Sequence, residues 1–262
     1  MTLPSIETVV IIGSGNVATH FARAIQKTGK KIIQIYSKHP NSAKLLSREV
    51  NASFVKSIKE ITKNADLYIL AIKDTVIEEV SSLLKIGNNL IVHTSGTVSA
   101  DILKKASSNF GVIYPLQSFS KDIPVDWKTI PVFIEANNKE NEDILLTFIK
   151  NITDHVTVMS SEKREIVHLS AVFVNNFVNY LYTIAEDIMK NKQLSFDQLK
   201  PLIIETANRI INDNPGNIQT GPAIRKDKKT IQKHLELLSY QKDYADIYSF
   251  MTNMIIKSNK TK

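Results

Sequence analysis

The chain has 262 residues, 43% of them hydrophobic and 23% charged. That is enough for one large domain or two modest ones, and too ordinary a composition for a disordered, collagenous or coiled-coil polymer. It holds no cysteine, which excludes disulfide scaffolds, thiolate zinc sites, iron–sulfur clusters and cysteine nucleophiles, so redox work would need a borrowed cofactor. The formal charge of +7 is spread evenly: residues 1–150 carry 18 basic and 14 acidic side chains, and residues 151–262 carry 15 and 12. Without a basic pole or an aromatic platform a nucleic-acid binder is disfavoured. No apolar run approaches the roughly 18 residues of a spanning helix, and the opening MTLPSIETVVIIG has no basic stretch before its apolar run. The sequence therefore predicts a soluble, cytoplasmic protein.

In chain order, TVVIIG (8–13) is short, β-branched and stopped by glycine, as suits a strand buried on both faces. Residues 16–27 place Val17, Phe21, Ala24 and Ile25 at helical spacing, and Gly29 closes that segment. The alternation continues through KIIQIYS (31–37), a helix over about 42–50, ASFV (52–55), DLYILAI (66–72), NLIVHTS (89–95), GVIYP (111–115) and PVFIEA (131–136). Strands alternating with helices predict an α/β, doubly wound, mostly parallel Rossmann sheet over residues 1–158.

After HVTVM (155–159) the pattern turns helical, predicting an all-helical C-terminal domain over 159–262 for substrate binding and dimerisation. Its first helix spans about 162–190, with Ser160 and Ser161 as candidate caps and Glu162 and Glu165 in the first turn. The middle of that helix, AVFVNNFVNYLYTI, is apolar on most sides, which predicts cover from the first domain or from a second copy in a homodimer. Further helices are predicted over about 195–212, 227–239 and 241–257, with a frayed KSNKTK end.

Between the first strand and first helix, Gly13, Gly15 and Ala18 take the spacing G-x-G-x-x-A. Gly13 allows a tight turn, Gly15 lets the backbone approach a pyrophosphate, and Ala18 permits close helix–strand packing. The amides of Ser14, Asn16 and Val17 would bind phosphate charge. A plain connecting turn is the alternative. The second strand ends Ser37, Lys38, His39, without the carboxylate that would bond a ribose 2′-hydroxyl. A hydroxyl and a cation there favour NADP over NAD, unless Lys38 is only a solvated loop residue. Two more strand ends would border the same crevice: Ala71, Ile72, Lys73, Asp74 and His93, Thr94, Ser95, Gly96. Asp74 reads as well as a helix cap.

These residues resemble the Rossmann-like proteins carrying a DUF2520 domain, named as NADP- or F420-dependent oxidoreductases and related to pyrroline-5-carboxylate reductases, ketopantoate reductases and β-hydroxyacid dehydrogenases. The resemblance covers nearly the whole chain. It rests on IIGSGNVATHFARAI, DLYILAIKD (66–74), HTSG (93–96), YPLQSF (114–119), HLSAVFVNNF (168–177) and TGPAIRKD (220–227) followed by His234. It implies an NADP-binding N-terminal domain, a helical C-terminal domain and dimerisation. F420 leaves no motif distinct from that of NADP and stays open as an electron partner.

Hydride transfer to a carbonyl or imine needs a group that supplies a proton or polarises the acceptor. At about 100° per residue, Asn175 and Asn179 fall within roughly 20° of His168 around the predicted helix, with Asn176 about 80° away. An imidazole reaches both protonation states near neutral pH, so His168 is the predicted proton donor, with Asn175 or Asn176 orienting the substrate. A helix-to-helix hydrogen-bonding stripe, or a register device at a dimer interface, explains the same residues. The β-hydroxyacid dehydrogenases resemble this segment in the paired asparagine but carry a catalytic lysine three residues earlier, where this chain has Val172. That departure favours an acceptor needing less acid assistance, such as an imine.

The turn-rich NPGNIQTGPAIRKD bends at Gly221-Pro222 and presents Arg225, which could clamp a substrate carboxylate with two bonds or simply sit at the surface. Arg225, Lys226, Lys228 and Lys229 form the densest basic cluster, either a solvated helix entrance or an anion site. Asp227 reads as a cap and His234 equally as packing. Gln117 and Ser118 follow a strand end and border the expected pocket, or belong to a plain loop. The sequence thus predicts an NADP-dependent oxidoreductase acting on a small anionic metabolite with an imine or keto group. The alternative is a non-catalytic NADP-binding regulatory protein.

Overall fold

The computed structural model of the protein describes residues 5–258; the last four residues of the predicted frayed end, 259–262, lie outside them. The strands are β1 (Thr8–Ile12), β2 (Lys31–Tyr36), β3 (Ser53–Val55), β4 (Leu67–Leu70), β5 (Leu90–His93), β6 (Phe110–Pro115), β7 (Val132–Ala136) and β8 (Val156–Val158). They form one sheet in the order β3-β2-β1-β4-β5-β6-β7-β8. The chain leaves β1 toward β2 and β3, then crosses back to place β4 on the other side of β1, which creates a switch point between the carboxyl ends of β1 and β4.

Strands β4, β5 and β6 are buried at every residue, as is β1 after Thr8, which explains their continuous apolar runs. Successive side chains serve opposite faces. Val9 and Ile11 join a core with Phe21 and Ile25 of helix α1 (Asn16–Lys27), while Val10 and Ile12 join a second core with Tyr68, Leu70 and Ile77. Helix α2 (Pro40–Glu49) and helix α4 (Lys139–Lys150) pack on the first core through Ala43, Leu46, Leu145 and Phe148. The short helix α3 (Ile77–Leu83) covers the second through Ile77.

The sheet is mostly parallel, as expected, with one antiparallel pairing. Strand β7 runs antiparallel to β6, whereas every other neighbouring pair is parallel. The connection between them, residues 116–131, holds only a three-residue 3₁₀ turn at Trp127–Thr129. A parallel return needs a crossover, usually a helix, and none is present.

The long helix predicted over 162–190 is continuous but not uniform. It comprises α5 (Ser161–Ala171), a π-helical segment at Val172–Phe177, and α6 (Val178–Asn191). Helices α7 (Lys200–Asn212), α8 (Lys228–Leu237) and α9 (Lys242–Ser258) follow close to their predicted ranges. Asp227 caps α8 by accepting from the Thr230 amide at 3.0 Å. His234 bonds the Tyr248 hydroxyl at 2.8 Å, a packing role. Two compact units divide the chain at 1–176 and 177–262, further along than the expected boundary at 159.

Arg164, on the first turn of α5, is 1% exposed. Its guanidinium pairs with Glu135 of β7 and bonds the Val98 carbonyl and the Ser161 hydroxyl, so α5 is pinned to the sheet. Ser161, a candidate cap, lies inside the helix and gives its hydroxyl to Glu135; Ser160 holds the cap position. No helix among the described residues is long and apolar enough to cross a membrane.

Candidate functional site

Gly13 follows β1 with φ +127°, and a Cβ there would stand 2.1 Å from the Ala71 carbonyl oxygen. Its amide donates to the Tyr36 carbonyl at 2.7 Å, so β1, β2 and β4 converge on a residue that only glycine fits. Gly15 is different. Its φ is an ordinary −78°, and a Cβ would meet nothing within 4 Å. The fold does not require glycine there; what its absent side chain leaves is open space above the start of α1. No side chain caps that helix and its first turn has no acidic residue. Free amides at a positive helix end, beside open space, suit a pyrophosphate.

The crevice over this turn has a volume of about 750 Å³. Among the residues expected to bind cofactor, Gly13, Ser14, Gly15, Asn16, Val17, Ser37, Lys38, Ala71, Ile72, Lys73 and Thr94 line it; Ser95 and Gly96 do not. His39, Ser42, Thr75, Val76 and Lys121 line it too and were not anticipated. None of these side chains is acidic, while Lys38, Lys73 and Lys121 are cationic, a lining suited to a polyanion. The Ser14 hydroxyl donates to that of Ser37 at 2.9 Å, and Ser37 also accepts from the His39 amide, so Ser37 ties the two turns together.

Lys121 reaches the crevice because α1 grips the loop that carries it. Asn16 donates to the Phe119 carbonyl at 2.8 Å, the His20 ring bonds the Ser120 carbonyl at 2.7 Å, and Arg23 donates to the Lys121 carbonyl at 2.9 Å. The spacing i, i+4, i+7 puts all three on one helical face. That polar stripe was the available signal. Asp74 is not a side-chain cap: it accepts from the Thr97 hydroxyl at 2.9 Å, tying the ends of β4 and β5.

A second recess of about 660 Å³ is lined by Tyr114, Leu116, Gln117, Ser118, Ile166, Val167, His168, Ser170, Ala171, Val172, Val174, Asn175 and Asn176. Here Nδ1 of His168 lies 2.9 Å from the Tyr114 hydroxyl. Gly96 makes the contact possible, since a Cβ on it would stand 2.6 Å from His168 Nδ1 and 2.9 Å from Tyr114 Cζ. Thr94 lines the crevice and Gly96, two residues on, touches the histidine. The two cavities are thereby linked through one short loop.

That loop is held from below by His93, fully buried. Its Nδ1 accepts from the Ser95 amide at 3.2 Å and its Nε2 bonds the Ser99 carbonyl at 3.3 Å. Burial, and next the positive charge of Arg164, push the His93 pKa down to about 4. Burial also raises the Tyr114 phenol, with the Asp74 carboxylate adding to the effect.

The predicted substrate residues divide. His168, Asn175, Asn176, Gln117 and Ser118 share the recess. The two asparagines were expected on different faces of a regular helix; the π segment, whose i→i+5 bonds widen the turn, lets both line one wall. Gly221 and Arg225 belong to the second unit, where Gly221 bends with φ +106° and Arg225 is exposed. Tyr114 was missed as a functional residue.

A Rossmann sheet with a glycine turn and an acid-free crevice carrying three lysines suits a phosphate-bearing dinucleotide. The family described as "NADP oxidoreductase coenzyme F420-dependent" matches residues 8–95, and the DUF2520 domain, described as a domain of unknown function, matches residues 130–255. A candidate NADP oxidoreductase of Bacteroides fragilis is 35% identical over 97% of this chain and 98% of that one, with a TM-score of 0.91. The chain belongs to this DUF2520-containing NADP oxidoreductase family, and its cofactor is NADP. An imine reductase of Myxococcus stipitatus solved with NADP⁺ is 11% identical over 97% of this chain and 94% of that one, with a TM-score of 0.67. A reductive aminase of Aspergillus terreus solved with NADPH and ethyl levulinate is 9% identical over 98% and 95%, with a TM-score of 0.75. These two share the fold. A comparison with curated proteins finds no match.

Proposed function

We propose that this oxidoreductase reduces the imine or keto group of a small metabolite with NADPH, using His168 as proton donor. The supporting observation is Gly96, which packs against both His168 and Tyr114 two residues after the crevice-lining Thr94. In this reading the amides after β1 hold the diphosphate, and Ser37 and Lys38 mark the 2′-phosphate end. Ala71, Ile72, Lys73 and Thr94 border the rest of the cofactor. The nicotinamide supplies a hydride, with its two electrons, to the acceptor carbon.

His168 would give its Nε2 proton to the acceptor nitrogen or oxygen, and solvent would then restore that proton. Asn175, Asn176, Gln117 and Ser118 offer amide and hydroxyl contacts for orienting the substrate. Leu116, Ile166, Val172 and Val174 make the rest of the wall apolar and limit water. Val172 stands where the related dehydrogenases carry a lysine, one reason to favour an imine; the imine reductase and reductive aminase folds are a second. The recess lining contains no lysine or arginine.

The protein also acts as a homodimer in this reading, because Ile166, Leu169, Phe173 and Val174 on the long helix are each more than half exposed. Purified protein should oxidise NADPH with at least one member of a panel of cyclic imines, amine-plus-ketone pairs, 2-keto acids and 3-keto acids. NADPH binding without turnover on the whole panel would count against the catalytic reading.

A further inference from the structure

A histidine can donate toward a substrate only from the nitrogen that carries its proton, and in a neutral ring that is one of two. In His168 the choice falls to a neighbour. Nδ1 lies 2.9 Å from the Tyr114 hydroxyl, and the side of the ring bearing Nδ1 and Cγ is packed against Gly96. No second hydrogen bond to this ring is formed among the described residues, which leaves Nε2 as the ring nitrogen available to the recess.

Tyr114 is itself held fast. It sits in β6, its ring stacks on Phe133 at 6.3 Å, and the side chain is 9% exposed. A phenol O–H is a good donor and its oxygen a weak acceptor, whereas a neutral imidazole nitrogen accepts well. The buried phenol keeps its proton at neutral pH. The bond therefore runs from Tyr114 O–H to Nδ1 when the ring is neutral, and the only proton on the ring is at Nε2.

We infer that Tyr114 is a positioning residue that fixes His168 in the Nε2–H tautomer and so keeps a proton on the nitrogen facing the substrate recess. The inference deepens the proposed role of His168 and rests on it for its catalytic consequence, though the tautomer itself is a property of the unliganded protein. Without the phenol a neutral His168 would be free to place its proton on Nδ1 and to offer the substrate an acceptor instead.

Protein labelled with ¹⁵N in its six histidines, with the His168 signals assigned by their loss in His168→Gln, reads the tautomer directly. The expected spectrum above the titration of the ring has a proton bonded to Nε2 and an unprotonated, hydrogen-bonded Nδ1. Tyr114→Phe, shown to be folded by retained NADPH binding, should shift the pair to a mixture of tautomers. On any substrate found, it should lower kcat roughly ten-fold with little change in KM. A wild-type ring protonated at Nδ1, or an unchanged pattern in Tyr114→Phe, overturns the inference. If Tyr114→Phe does not fold, the wild-type spectrum alone decides. The expected tautomer together with full turnover in His168→Gln supports the positioning and refutes the catalytic role of the histidine.

Discussion

The Tyr114 hydroxyl and His168 Nδ1 meet at 2.9 Å across 54 residues of chain, joining strand β6 to helix α5. Gly96 closes the triangle by having no side chain. Its neighbours on either side are tied down: the Ser95 amide bonds His93, and Thr97 bonds Asp74.

Gly96→Ala tests that arrangement. The new methyl group would overlap the imidazole at 2.6 Å, and the ring must shift while the phosphate turn stays intact. Turnover should fall roughly ten-fold or more, since small misplacements of a reacting group are costly, with NADPH affinity kept within about two-fold. Measured kcat beside fluorescence titration of NADPH separates the two effects; equal turnover would mean that the histidine does not act at that position.

The two turn glycines should behave oppositely. Gly13→Ala places a Cβ against the Ala71 carbonyl at a positive φ and should cost about 2 kcal/mol or more of stability in denaturant unfolding. Gly15→Val meets open space; its unfolding midpoint should stay close to wild type while NADPH affinity drops roughly ten-fold or more. Retained affinity in Gly15→Val would contradict the phosphate role of that turn.

Lys38 should set cofactor preference. Wild-type protein should bind NADPH several-fold more tightly than NADH. Lys38→Ala should lower the NADPH affinity by about ten-fold with NADH nearly unchanged. Isothermal titration of both coenzymes is the check, and tighter binding of NADH by the wild type would refute the assignment of this rim.

Acid should weaken the protein through His93. Its pKa is about 4 in the fold and near 6.5 unfolded, so the unfolded chain binds the extra proton between those values. Stability from this group is complete above about pH 6.5 and is lost as pH falls toward 4, by roughly 3 kcal/mol. Unfolding free energies measured across that window should show the slope in the wild type and lose this component of it in His93→Gln. An identical slope in both would place the acid sensitivity elsewhere.

The glycine turn after β1 was legible because its causes are local: a buried strand, two glycines and a helix follow one another in sequence. Direction in the sheet was less so. PVFIEA reads as a strand either way, and only the missing crossover helix in residues 116–131 marks β7 as antiparallel. The wall formed by Asn175 and Asn176 depends on a π segment, and a helical wheel drawn at constant pitch misplaces one of them. The Tyr114–His168 contact left no sign in the sequence, because a hydrogen bond to a residue 54 positions away leaves no periodic trace. Nor did the sequence single out Arg164, a charge in a helix's first turn that is buried on Glu135.

The most direct measurement is a crystal structure of the protein grown with NADPH. The account predicts the diphosphate on the amides between Gly13 and Val17, the 2′-phosphate beside Lys38, and the nicotinamide ring against the segment from Thr94 to Gly96 with His168 at its substrate face. A coenzyme bound elsewhere, or a nicotinamide directed away from His168, would contradict it.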